Sequence, residues 1–64
     1  MKTYTYLIRN FYDDNERFIV VGTKGIMDAI NTFCTRYDKI FISFNEKSSI
    51  LETLFDKWIC MKIK

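Results

Sequence analysis

From Thr3 to Phe11 the chain is rich in Tyr, Thr, Ile and Leu, the composition of a β-strand. Tyr12-Asp13-Asp14-Asn15-Glu16 follows with turn chemistry, since Asp and Asn side chains bond their own backbone. Arg17 to Thr23 is again strand-like, so residues 3–23 read as a β-hairpin. A two-residue loop at Asp14-Asn15 pairs Tyr12 with Arg17, and a three-residue loop shifts that register by one. From Ile26 the spacing changes. Ile26, Ala29, Ile30, Phe33 and Tyr37 recur at helical intervals, while Asp28, Asn31, Thr32, Thr35 and Arg36 take the wet side. Thr23 is the expected N-cap, and the helix is expected to stop near Asp38. Lys39-Ile40-Phe41-Ile42-Ser43-Phe44 then alternates, with Ile40, Ile42 and Phe44 on one face, and predicts a third strand.

Ser49-Ile50-Leu51-Glu52 matches the S-x-x-E capping box. Leu51, Leu54, Phe55, Trp58 and Ile59 follow at i, i+3, i+4, i+7 and i+8, which predicts a second amphipathic helix from 49 to about 58. Ile59, Met61 and Ile63 alternate with Cys60, Lys62 and Lys64, so residues 59–64 either prolong that helix or form a short edge strand. The expected fold class is α+β: a small three-stranded sheet, four-stranded if the tail joins it, with two helices in the order β-β-α-β-α(-β). A crossover links the second and third strands through the first helix.

At 64 residues the chain allows one domain, 1–64, and buries only about 60% of the surface that it exposes when unfolded. Its compensation is apolar content: 48% hydrophobic and 17% aromatic residues, enough to exclude a disordered chain. The net charge of +2 is too balanced for a dedicated nucleic-acid binder. After Asp56 the tail carries Lys57, Lys62 and Lys64 and no acid, which reads as a solvated terminus. No stretch reaches the ~18 apolar residues of a membrane span, and the first residues lack the pattern of a signal peptide. A cytoplasmic protein with reduced thiols is expected. Nine Ile and seven Lys against one Ala and no Pro are the bias of AT-rich coding sequence, frequent in phages, plasmids and low-GC bacteria.

Candidate chemistry is sparse. Histidine, the commonest general base, is absent, and two cysteines alone do not complete a zinc site. Cys34 and Cys60 lie away from any helix N-terminus that would activate a thiolate, and read as core residues. Asp13, Asp14 and Glu16 lack the further ligands and glycine of a calcium loop, so they read as a hairpin tip. Gly22 and Gly25 match no phosphate-binding spacing. No enzyme activity, cofactor or metal is expected.

What remains is surplus apolar surface. Leu7 and Phe11 face away from Tyr4, Tyr6 and Ile8, and Phe18 and Val20 oppose Ile19 and Val21. Both sheet faces are therefore apolar, whereas a half-exposed antiparallel sheet alternates apolar with polar. Either two helices cover opposite faces, or one face meets a protein partner or a second copy in a homodimer. Tyr4, Tyr6, Ile19, Val21 and Phe41 are the interface candidates. The expected function is a small protein-binding module, of the size and composition of phage or mobile-element inhibitors that block a larger macromolecule. The alternative is a small nucleic-acid-binding regulator, with Tyr4 and Tyr6 stacking on bases and Arg9 and Arg17 meeting phosphates.

Overall fold

A computed structural model describes residues 2–64. The elements are β1 (Tyr4–Asn10), β2 (Arg17–Thr23), α1 (Ile26–Arg36), β3 (Phe41–Asn45), β4 (Ile50–Thr53) and β5 (Asp56–Lys62). All five strands join one antiparallel sheet in the order β2-β1-β5-β4-β3. This corrects the expectation of a three- or four-stranded sheet with two helices. The predicted hairpin, first helix and third strand exist. The second helix does not.

Residues 49–58 instead form most of a hairpin, β4 and β5 joined by the two-residue turn Leu54-Phe55. Ser49 and Phe55 have φ of 59° and 81°, left-handed values that no α-helix contains. Ser49 therefore caps nothing; its carbonyl accepts from the Cys60 N–H, and Glu52 lies opposite Lys57. Read with period two, Leu51, Thr53, Trp58 and Cys60 point inward and are buried, while Ile50, Glu52, Lys57, Ile59 and Met61 point outward. A ten-residue helix is marginal alone, whereas β5 pairs with β4 over its first half and with β1 over its second. The tail is thus the central strand and not an edge.

The first hairpin is longer-looped than either register expected. Arg9 pairs with Arg17, and the Asn10 N–H donates to the Glu16 carbonyl at 2.9 Å. The buried Asn10 side chain holds the loop: its Oδ1 accepts from the N–H groups of Tyr12 and Asp13 at 2.8 and 3.2 Å. This register puts Tyr6 and Ile8 beside Val20 and Phe18 on one face, and Leu7 opposite Ile19 on the other.

Helix α1 packs on that first face, over β2 and β1. Its predicted stripe is the one buried: Ala29, Ile30 and Phe33 join Tyr6, Ile8, Val20, Leu51, Trp58 and Cys60 in the core. The N-cap is Gly25 and not Thr23, whose hydroxyl donates to the Tyr4 carbonyl. No side chain caps the first turn; the Asp28 carboxylate instead accepts from the Lys24 N–H, just before the helix, at 2.7 Å. At the other end Asp38 turns left-handed, and the Lys39 N–H returns to the Cys34 carbonyl, a Schellman closure. The crossover links the two edge strands, β2 and β3, which run in the same direction with three strands between them.

Candidate functional site: the uncovered sheet face

Among the described residues one helix covers one side of the sheet, and no element covers the opposite face. Cross-strand registers arrange its outward residues in rows. Ile19, Leu7 and Met61 lie side by side across β2, β1 and β5. The next row runs Arg17, Arg9, Ile59, Ile50, and beyond it Lys57 lies beside Glu52. Val21 and Ile63 extend the apolar area past the first row, away from the charges. Val21 is 69% exposed, Ile19 54%, Ile63 47% and Met61 43%. Leu7, Ile50 and Ile59 are half-buried by their neighbours.

Arg9 and Arg17 face each other across the strands, a like-charge pair that is unfavourable by itself. The hairpin loop resolves it. Arg9 forms an ion pair with Asp14, and the Arg17 Nε donates to the Asp14 carbonyl at 2.7 Å. The basic side chains therefore sit at one margin, tied to an acidic loop, and the middle of the face is left aliphatic.

Of the five interface candidates, Ile19 and Val21 lie on this face. Tyr6 does not: it is buried under the helix, 8% exposed. Tyr4 is half-buried against the same core, with the Lys62 Nζ over its ring at 4.8 Å. Phe41 pairs with Thr53 at the β3 edge, with three strands between it and Ile19, so it is exposed but not part of the patch. The alternation rule found Ile19 and Val21. It missed Leu7, Ile59, Met61 and Ile63 as one surface, because joining them requires knowing that β5 lies beside β1.

A second exposed group escaped the sequence reading altogether. Tyr12, Ile40, Leu54 and Phe55 project from three loops at one end of the sheet, and Phe55 is 91% exposed. Leu54 and Phe55 had been counted in the stripe of the missing helix. A bulky residue at φ 81° is strained. Replacing Phe55 with Gly is expected to raise stability by roughly 0.5–1 kcal/mol, the relieved strain less the entropy that glycine adds to the unfolded chain. Urea melts of the two proteins check this; a destabilised variant would mean that the aromatic ring packs in solution.

The two thiols are free, and burial raises both. Cys60 is pushed up to about 12, by burial first and by Cys34 second. Among the described residues no group of three or more His, Cys, Asp and Glu side chains is placed to hold a metal ion, and no helix is long and apolar enough to cross a membrane. A depression of about 420 Å³ opens beside the helix, lined by residues that include Tyr6, Ile26, Phe44, Cys60 and Lys62. It is an open groove without a buried charge or an unpartnered buried polar side chain among the described residues. Comparison with protein-family models, with curated proteins and with solved structures finds no match to the chain.

Proposed function

We infer that this chain is a non-enzymatic protein-binding module of the cytoplasm that engages protein through its uncovered sheet face. The observation that carries this reading is the continuous aliphatic area of Leu7, Ile19, Val21, Ile59, Met61 and Ile63 on the side opposite the helix. Burying a large apolar side chain is worth ~1.5–3 kcal/mol, so a marginal domain that leaves several exposed gains by covering them. The absence of a catalytic role is supported by the thiols, whose raised pKa values keep them protonated near neutral pH. Blocking a larger macromolecule, as small inhibitors do, is the activity that such a surface suits best.

The chemistry of the face favours protein over nucleic acid. Stacking on bases needs exposed aromatic rings beside basic groups. Here Tyr4 and Tyr6 turn to the helix side, and the neighbour of Arg9 on β5 is the aliphatic Ile59.

Affinity capture from extracts of the cell that carries the gene tests the reading. Ile19→Asp and Val21→Asp are expected to abolish capture of the protein partner while the fold survives, because neither side chain is in the core. Phe55→Ser, at the loop end, is expected to leave capture intact. Capture that resists added salt fits an apolar interface; capture that collapses with salt, or that brings down nucleic acid, favours the alternative. Undiminished capture by both Asp variants would reject the face.

A further inference from the structure

The two edges of the sheet and its open face are treated differently. An unpaired edge invites pairing with another chain, and natural sheets blunt it with bulges. Both edges here are blunted. In β2 an extra residue lies between the pairs Tyr4–Thr23 and Tyr6–Val20, with Gly22 at φ 74° inside the irregularity. In β3 the extra residue is Ile42, between the pairs Phe41–Thr53 and Ser43–Glu52. The face has no such protection. Its central row carries no charge, and its charged groups lie to one side.

We propose that the occupant of the face is a second copy of this chain, in a symmetric dimer with the two sheets stacked and both helices outside. This proposal rests on the reading of the face as a protein-binding surface and names its partner. Symmetry favours it. A two-fold interface must be self-complementary, and the row Ile19–Leu7–Met61 has apolar residues on both sides of Leu7. A two-fold axis beside Leu7 lays this row on its own copy, aliphatic against aliphatic. Val21 and Ile63 extend the same contact. Size favours it as well. Three strands of seven residues, one of five and one of four, about 4.8 Å apart, present roughly 500 Å² in projection. With side-chain relief this approaches the ~800 Å² per partner of a standard stable interface. Stacking at about 10 Å would build a sandwich core that the single chain lacks.

Light scattering on a sizing column at tens of micromolar reads the outcome. The wild-type chain is expected at twice the mass of one chain, and the Ile19→Lys/Met61→Lys variant at the mass of one. Circular dichroism verifies that the variant is folded; if it is not, Val21→Lys/Ile63→Lys, on more exposed positions, decides in its place. A wild-type monomer overturns the second copy, as does a dimer that persists in the folded variant. The outcome for the underlying reading is separate. A monomer whose protein capture is lost in Ile19→Asp keeps the face as a binding surface for a different protein. A monomer whose capture is unaffected overturns both.

Discussion

Replacing Trp58 with alanine is expected to leave the chain largely unfolded at room temperature. Trp58 is the largest fully buried side chain, on the central strand, with its ring 5.0 Å from that of Phe33 and 5.9 Å from that of Phe18. Lys39 covers its outer side, the Nζ lying 5.2 Å from the ring centroid. The indole also carries a polar duty. Its Nε1 donates to the Thr53 Oγ1 at 2.8 Å, and the same hydroxyl donates to the Asp56 carbonyl at 3.3 Å. These bonds tie the two ends of the Leu54-Phe55 turn together. Truncating a buried Trp to Ala costs ~3–5 kcal/mol. A domain of this length has only about 3–10 kcal/mol in total, at ~0.05–0.15 kcal/mol per residue. The cost therefore equals or exceeds the whole stability at the low end of that range and is about a third to a half of it at the high end. Trp58→Phe keeps an aromatic ring but removes the donor to the Thr53 Oγ1, and is expected to cost ~1–3 kcal/mol. Urea unfolding followed by circular dichroism ranks the three proteins. Near-native stability of Trp58→Ala would mean that the core closes without the indole.

The same residue shows why the second half of the chain misread. Leu51, Leu54, Phe55, Trp58 and Ile59 fit a helical stripe, but Leu51 and Trp58 also fit the inward set of a hairpin. What separates the two readings is a turn at Leu54-Phe55. That turn has no Gly, Asn or Pro, and Phe55 adopts its left-handed φ against its own preference. The first turn of the chain is legible because Asp13, Asp14 and Asn15 announce it; even so, its register depends on the buried Asn10, which draws two further residues into the loop. Helix α1 is legible because its stripe has no competing strand pattern. In β3, the single extra residue Ile42 breaks the alternation of Ile40, Ile42 and Phe44, and only Phe44 packs against the core.

The candidate site was half legible for a related reason. Local alternation assigns Ile19 and Val21 to one side of a strand, but the side that a helix covers depends on register. Tyr6 and Tyr4 fell on the covered side because Tyr6 pairs near Val20, and Val20 lies under Ala29, Ile30 and Phe33 in one core. Once β5 is placed beside β1, Ile59 and Met61 widen the apolar area from two strands to three. Surplus apolar content was thus visible in composition, whereas its gathering onto one face is a product of topology.

Above pH 9 the protein is expected to lose stability steeply, and Cys60 is expected to account for a separable part of that loss. The thiol sits on the inward side of β5, 3% exposed, and burial with the nearby Cys34 pushes its pKa from 9.0 to about 12. In the unfolded chain it ionises at its ordinary value. Below pH 9 both states hold the proton and the group adds no pH dependence. Between about 9 and 12 the unfolded state has released the proton and the folded state has not, so rising pH favours unfolding. The slope is about 1.4 kcal/mol per pH unit, or about 2 kcal/mol between pH 9 and pH 10.5. The variant Cys60→Ala is the necessary reference. Its stability relative to the wild type is expected to rise by about 2 kcal/mol from pH 8 to pH 10.5, since it lacks only this group. Urea melts of both proteins at the two pH values supply the four numbers. A difference that does not change with pH would show that water reaches the thiol in the folded state, and hence that the centre of the sheet is less tightly packed under the helix than its burial indicates.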